Sequence, residues 1–591
     1  MSSAKNPFSS FGSSSTNANV IAAEDPRRPQ NGLSYVAGTG DEPLRFRTIS
    51  QHLDRAVARH GARDAAFFAA HNVRLSWYDL QRQSDDLAAA LLALGINRGD
   101  RVGIWAPNRL EWVLTQFGTA RIGAIMVNIN PAYRLSELEY ALNKVQCKVL
   151  ITARSLKGSD YVDMLRKLCL AGKLPHLQQI VILDDPAGAD DRMPDGSLGA
   201  IAIKFSAFIA LAGPAQKQRL AGLCAALDPD DAINIQFTSG TTGAPKGATL
   251  SHFNIINNAR YIARAMALSD RDVLAIPVPL YHCFGMVLGV LACVSSGSAM
   301  VFPGESFDAD QTLAAVEKYR CTALHGVPTM FIAMLSSPNF ANFDLTSLRT
   351  GIMAGAPCPI ETMRRVVSEM HLGEITIAYG MTETSPVSFQ SSTDDSLEHR
   401  VSTVGRIQPH VEVKIINGEG RIVPVGQSGE LCTRGYSVMQ GYWDDAPRTH
   451  EAIDAAGWMH TGDLATIDAD GFCNIVGRVK DMLIRGGENV YPREVEEFLY
   501  THPKVAAAQV FGVPDPKYGE DICAWLVLKP GESSSLEEIR AFCQGQIAHF
   551  KVPRYVKVVA EFPVTATGKP QKFIMREQMI QELGLLLQKT A

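Results

Sequence analysis

Ten residues stand out for the chemistry they would support. Thr238-Ser239-Gly240-Thr241-Thr242-Gly243-Ala244-Pro245-Lys246-Gly247 interleaves hydroxyls, glycines and one lysine. The run follows an apolar strand expected over Ala232 to Phe237 and precedes a helix expected to begin near Ser251. Glycines let the backbone bend tightly and turn its N–H groups toward an anion. The hydroxyls add donors and the lysine adds charge, so the segment is expected to hold phosphate. It is not the ordinary P-loop, which needs G-x-x-x-x-G-K-[ST]. The fifth residue after Gly240 is Pro245, and Gly247 follows the lysine.

The elements that must position this loop alternate between helix and strand. Ile49 to His60 has helical spacing, and Asp85 to Leu94 is a second helix with Gly95 at its C-terminal stop. Arg101 to Trp105 reads as a strand, Glu111 to Arg121 as a helix and Ala124 to Val127 as apolar strand. Strands are also expected at Val149 to Thr152, Ile180 to Leu183, Ala299 to Phe302 and Ala323 to Gly326. Such alternation implies an α/β fold of stacked βαβ units around largely parallel sheets. Near residue 400 the pattern changes. Val411 to Ile416, Arg421 to Val425 and Gly429 to Thr433 are short strands joined by glycine-rich turns, a small β-rich subdomain over about 400–478. Beyond Gly477 a basic, polar link leads to about 110 residues, long enough for a small α+β domain. The expected division is a flexible tail over 1–47, a large domain over 48–478 and a smaller one over 479–591.

Composition narrows the functional classes. The 591 residues carry a formal charge of −5, so no global basic field favours nucleic acid. The most apolar stretch, Met286 to Phe302, is broken by Ser295, Ser296, Gly297 and Ser298, which argues against a membrane span. Eleven cysteines are scattered without any C-x-x-C, and they read as free thiols rather than disulfides or a zinc site. His450-Glu451-Ala452-Ile453-Asp454 misses H-E-x-x-H at its fifth residue, which disfavours a zinc hydrolase. The expected compartment is the cytoplasm, with mitochondrial import through the Ser- and Asn-rich tail as the alternative.

The phosphate-loop segment resembles that of the adenylate-forming superfamily, which includes acyl-CoA synthetases, luciferases and the adenylation domains of peptide synthetases. Four further segments match in the family's order: Tyr379-Gly380-Met381-Thr382-Glu383-Thr384, Thr461-Gly462-Asp463, Gly477-Arg478-Val479-Lys480-Asp481, and Pro563 to Lys572. The resemblance runs from about residue 48 to the end. Asn128-Ile129-Asn130-Pro131 and Gly486-Gly487-Glu488-Asn489 look most like medium-chain-type fatty acyl-CoA ligases.

The resemblance implies a reaction that needs three small molecules: ATP with Mg²⁺, a carboxylic acid and coenzyme A. The carboxylate attacks the α-phosphate, forming acyl-AMP and expelling pyrophosphate, and a thiol then displaces AMP. Two anions meet in the first step, so cations must sit where charge develops. Lys569 is assigned that bridging role, whereas Lys572 reads as a surface residue. Thr238, Ser239, Gly240, Thr241, Thr242, Gly243 and Lys246 would cradle the phosphates, and Thr382 would bond the α-phosphate. Glu383 would ligate the Mg²⁺, a hard cation that prefers carboxylate and phosphate oxygen. Tyr379, Gly380 and Met381 would form one adenine wall and Gly355, Ala356 and Pro357 the other. Asp463 would take the ribose hydroxyls, with Arg478 beside it. Lys480 would be the pivot of a domain rotation that brings Gly486, Gly487 and Glu488 to the site as the lining of a pantetheine tunnel.

Pro279 to Gly285 resembles the family's acid-pocket motif, where His282 would orient the carboxylate. No aspartate lies between Pro277 and Gly289 to pair an amino group, which disfavours an amino-acid substrate. Met286, Val287, Leu288, Val327, Met330, Ile332 and Val387 would suit an alkyl chain, though such residues are ordinarily core. The expected function is a medium- or long-chain fatty acyl-CoA ligase. The alternatives are an aryl or arylalkanoate CoA ligase, a luciferase-like oxygenase and a non-catalytic nucleotide-binding regulator; Lys569, Glu383 and Asp463 argue against the last. The oligomeric state, monomer or homodimer, stays open.

Overall fold

A computed structural model describes residues 25–184, 198–199, 201–238, 245–356, 358–485, 488–565 and 568–585. Two large sheets organise the N-terminal domain. In the first, six parallel strands run in the order Ala202–Lys204, Gln179–Ile182, Val149–Thr152, Arg101–Trp105, Ile125–Asn128, Ala232–Thr238. Lys246–Ser251 and Gly441–Tyr442 then add antiparallel at its edge. In the second, six parallel strands run Glu374–Gly380, Thr350–Ala354, Ala323–Gly326, Val273–Ala275, Ala299–Phe302, Asp64–Phe68. Antiparallel strands finish this sheet at both edges. Parallel strands are covered on both faces, so they read as continuous apolar runs. Ile125–Asn128, Val149–Thr152 and Ala299–Phe302 are buried at every position.

Local signals set several boundaries. Thr48 caps the helix Ile49–His60 with its side chain on the Gln51 N–H, and Gln51 returns the bond. Trp77–Ala93 starts on a Ser76 cap, earlier than the expected Asp85. Gly95, at φ +79, follows its end as expected of a stop. Leu110–Ile122 shows no polar face and is buried from Trp112 onward, as a helix inside the core must be.

Three expectations are corrected. The tail expected over 1–47 includes ordered chain: Tyr35–Ala37 pairs with Val411–Ile416, and Ser34 and Val36 are fully buried. A three-residue strand has too little periodicity to read, and the partner lies more than 370 residues away. Arg421–Val425 is not a continuous strand: isolated bridges at Ile422 and Pro424 and single backbone bonds, such as Val423 N–H to the Ile415 carbonyl at 3.0 Å, join it to its neighbours. Pro424 has no N–H to give a ladder. Lys246–Ser251, expected only as approach to a helix, is a strand closing a hairpin on Ala232–Thr238.

The β-rich subdomain is a five-stranded sheet in the order Tyr35–Ala37, Val411–Ile416, Gly429–Gly435, Met459–Ile467, Cys473–Arg478. The C-terminal domain has its own sheet, built on the antiparallel pair Val505–Asp515 and Gly519–Leu528 with Leu483–Arg485, Glu488–Val490 and Tyr555–Val558. Helices Pro492–Tyr500, Leu536–Cys543 and Lys572–Glu582 cover it. Its apolar clusters around Val510 and Trp525 share no residue with the N-terminal core.

Candidate active site

Parallel sheets bind ligands beyond the carboxyl ends of their strands. Thr238 ends its strand in the first sheet. In the second, Gly326 with Val327, Ala354 with Gly355, and Tyr379 with Gly380 end three neighbouring strands. Residues far apart in sequence meet there.

Glu383 lies in a single turn, Thr382–Thr384, and is 5% exposed. Its Oε1 accepts from the Thr238 hydroxyl at 3.2 Å and from the Tyr442 hydroxyl at 2.9 Å. Lys246 lies across from Thr238 in the hairpin, with its Nζ 4.3 Å from the Tyr442 ring centre. Among the described residues no basic side chain pairs with Glu383. A buried carboxylate held only by hydroxyls is the oxygen donor a hard divalent cation takes, so the site fits Mg²⁺. Such a cation, when bound, would neutralise charge on ATP phosphates. The Thr382 hydroxyl reaches the buried Cys283 thiol, which burial pushes up to about 12.

Asp463 is joined to two expected partners. Its Oδ2 accepts from the Tyr379 hydroxyl at 2.6 Å and its Oδ1 from Arg478 Nε at 3.1 Å. Asp463 and Arg478 face each other across adjacent strands. Burial and the Asp463 charge push the Tyr379 phenol well above its ordinary value, so it stays a donor. Gly380 permits a close approach: a Cβ there would stand 1.7 Å from the Pro386 carbonyl oxygen. The Met381 N–H donates to that same oxygen at 2.9 Å.

Lys569 comes from the C-terminal domain into this cluster. Thr565 and Lys569 exchange bonds across the loop, Thr565 N–H to Lys569 O at 2.8 Å and Lys569 N–H to Thr565 Oγ1 at 3.1 Å. Gly568, at φ +79, makes the turn; a Cβ there would meet Thr329 Oγ1 at 3.2 Å and Val327 Cγ2 at 3.3 Å. Gly355, at φ +88, leaves room for the lysine stem, whose Cε would lie 4.0 Å from a Cβ there. Burial and the nearby Arg478 charge lower the Lys569 ammonium below the ordinary lysine value, while Asp463 and Glu383 oppose that shift. Lysine, acid turn and ribose aspartate thus share one electrostatic environment.

His282 precedes a π-helical segment, Phe284–Leu291, a distortion common at functional sites. Its Nδ1 accepts the Phe284 N–H at 3.1 Å, so a neutral ring carries its proton on Nε2. Burial, aided by the Lys569 charge, lowers it to about 3. A neutral donor beside a lysine suits a carboxylate. Asn128 Nδ2 pins this loop through the Tyr281 carbonyl at 2.8 Å, and Gln236 Nε2 meets Met286 Sδ at 3.0 Å. Met286, Val287, Leu288, Val327, Met330 and Val387 are buried in the main core, and Ile332 is half-buried outside it.

The cluster therefore unites Thr238, Lys246, His282, Thr382, Glu383, Tyr379, Gly380, Met381, Gly355, Asp463, Arg478 and Lys569, with Ala356 adjoining. Ser239, Gly240, Thr241, Thr242, Gly243, Pro357, Gly486 and Gly487 lie outside the described residues. Lys480 is exposed on the turn between the domains. Glu488 is exposed on the hairpin Leu483–Val490 and makes no described bond to the cluster. Two functional contributions escaped the sequence reading. Tyr442 holds Glu383, and Val327 with Thr329 seats the lysine loop. Lys572 is corrected: its Nζ pairs at 2.6 Å with Glu496, a carboxylate only 4% exposed. Nothing in the sequence marks Glu496 as buried.

Two family models match the chain: AMP-binding enzyme over residues 53–443 and AMP-binding enzyme C-terminal domain over 494–569. A relative from Danio rerio, medium-chain acyl-CoA ligase ACSF2, mitochondrial, is 44% identical over 98% of this chain and 96% of its own. The putative acyl-CoA synthetase YngI of Bacillus subtilis (strain 168) is 46% identical over 91% of this chain and 98% of its own. Among solved structures, the anthranilate CoA ligase AuaEII in complex with anthranoyl-AMP superposes with a TM-score of 0.81. It is 26% identical, over 92% of this chain and 99% of that one.

Proposed function

The chain belongs to the AMP-binding enzyme family, and from that premise we propose that it joins a medium-chain fatty acid to coenzyme A through an acyl-AMP. It is an AMP-forming acid–thiol ligase, and ATP, the acid and coenzyme A are its substrates. The observation that carries the residue assignment is the entry of Lys569 between Asp463, Glu383 and His282.

The first step brings a carboxylate to the α-phosphate. The Lys569 ammonium sits between the two and stabilises the charge shared by attacking and leaving oxygens. The His282 Nε2–H orients the carboxylate, and Asp463 with Tyr379 holds the ribose and adenine. Thr238, Thr382 and Lys246 would lie along the phosphates, and Glu383 would hold the Mg²⁺, which neutralises phosphate charge when bound. One carboxylate oxygen bonds to the α-phosphorus as the bond to pyrophosphate breaks. In the second step the deprotonated thiol of coenzyme A attacks the acyl carbon and AMP departs. For a thiol to reach the acyl carbon the lysine loop would withdraw, the C-terminal domain turning about Lys480 between the steps so that the segment before Glu488 serves the pantetheine arm.

The alkyl preference rests on the Danio rerio relative, which is named for medium-chain acids and matches nearly end to end. Each methylene in an apolar pocket contributes about 0.8 kcal/mol, so shape sets chain length. No described helix is long and apolar enough to cross a membrane. The reaction is assigned to the cytoplasm, with the mitochondrion as the alternative raised by the Danio relative; a fluorescent fusion separates them. Pyrophosphate release is the test of function, measured with ATP and Mg²⁺ on straight-chain, aryl and amino acids, with and without coenzyme A. Turnover that requires coenzyme A and peaks on medium-chain acids is expected. A peak on benzoate or phenylacetate would overturn the alkyl assignment, and ATP binding without turnover on any acid would overturn the ligase.

A further inference from the structure

The strands that carry the ribose aspartate also gather a different set of ligands. Glu430 and Cys432 are two residues apart on Gly429–Gly435, and His460 faces Cys432 across the strand pair. As residues i and i+2 of one strand, Glu430 and Cys432 share a face, and the register shifts opposite them, the extra residues lying between His460 and Leu464 on the facing strand. His460 Nδ1 stands 3.5 Å from Cys432 Sγ and 3.1 Å from Glu430 Oε2. All three ligand atoms lie within 4.8 Å of one another.

These separations match a tetrahedral metal site. Zinc bonds of about 2.3 Å to sulfur and about 2.05 Å to nitrogen or oxygen place S and N about 3.6 Å apart and N and O about 3.3 Å apart. Hydrogen bonding uses the triad only weakly at the sulfur, 3.5 Å from the ring nitrogen. Protonated, Nδ1 donates to Glu430 with the Cys432 sulfur only at the edge of that bond; deprotonated, it is free to act as a ligand beside a carboxylate and a thiol. A cation shared by all three would use every one of these ligand atoms. The far side of the ring supplies a second observation. His460 Nε2 faces Asp454 Oδ2 at 3.9 Å, and Asp454 Oδ1 is held by the Ala456 and Trp458 N–H groups at 2.9 Å each. A carboxylate bonded to the outer nitrogen is the usual support of a ligating histidine, and Asp454, at ion-pair distance, is placed to close that bond by a small side-chain shift. The Cys432 side chain is buried, whereas His460 and Glu430 are 32% and 26% exposed, which leaves an entry path.

We propose that Glu430, Cys432 and His460 bind one Zn²⁺ ion, with Asp454 positioning the histidine and a water completing the tetrahedron. The cation belongs to the thiolate- and imidazole-seeking class, unlike the hard Mg²⁺ of the ATP site. Glu430 Oε1 also accepts the Gly462 N–H at 3.2 Å, so the zinc site abuts the ribose loop without sharing Asp463.

The full-length protein, stripped of metal, would be titrated with Co²⁺ and, against a chromophoric chelator, with Zn²⁺. One Co²⁺ per chain should bind with a near-ultraviolet thiolate charge-transfer band. Cys432→Ser should abolish the band, and the half-buried Cys169→Ser should leave it. His460→Gln alters a part-exposed side chain and so keeps the fold; it should weaken Zn²⁺ by at least about tenfold. Asp454→Asn should keep the band and weaken binding about 10- to 100-fold. Circular dichroism would confirm that each variant is folded. Absence of the band in the wild type would overturn the proposal, as would Zn²⁺ affinity unchanged in both Cys432→Ser and His460→Gln.

Discussion

The role proposed for Lys569 acts through charge at one position, which makes it separable. Lys569→Ala should reduce ATP–pyrophosphate exchange by about two to three orders of magnitude, the usual loss for one preorganised donor. Thioester formation from supplied acyl-AMP should be largely spared, and equal loss in both steps would contradict the two-conformation reading. The ammonium is held below the ordinary lysine value by burial and Arg478. Its cationic form is therefore lost as pH rises through a value lower than that of a free lysine, so adenylation should fall on the alkaline side. Lys569→Arg should move that alkaline limb upward whatever its effect on the maximal rate. His282 lies near 3 and is neutral throughout the assay range, so His282→Gln should leave the pH profile between 5 and 9 unchanged in shape while raising the KM for the acid.

At the scale of elements, the site depends on turns that only particular residues fit. Gly380 ends its strand against the Pro386 carbonyl, and an added methyl at 1.7 Å from that oxygen displaces backbone rather than a pliable side chain. Gly380→Ala should cost about 1–3 kcal/mol or more, the range of overpacking, and weaken ATP binding with it. Gly418, where nothing lies within 4 Å of the added Cβ, is the control; Gly418→Ala should stay within about 0.5 kcal/mol. Thermal unfolding and nucleotide titration measure both. The glycines were legible as turn formers, but the oxygen facing Gly380 was not, because Pro386 reaches it through a register shift.

For the whole molecule, the question is whether one chain needs two arrangements. Gly568 meets Thr329 across the domains, so Gly568→Cys with Thr329→Cys, compared with the same variant kept reduced to account for a side chain at φ +79, would lock the lysine loop in place. The oxidised protein should form acyl-AMP and fail to pass it to coenzyme A, and reduction should restore transfer. Full ligase turnover in a quantitatively oxidised sample would rule out rotation as a required step.

Segments whose proposed function depends on contiguous residues could be read from the chain alone. The phosphate loop, the acid turn at Glu383, the Asp463 turn and the lysine loop each carry their chemistry within ten residues. Alternating helices and strands likewise announced parallel sheets, because periodicity is local. What the tertiary structure decided are the pairings between distant segments. Tyr442 reaches Glu383 across 59 residues and Tyr35 joins its sheet across more than 370. Lys572 finds a buried Glu496, and Cys432 meets His460 from a strand 28 residues away with no C-x-x-C to betray it. Burial and strand register create these contacts, and both are properties of the packed chain: a residue's type states what bonds it can make, and only the fold states which partner is within 3 Å.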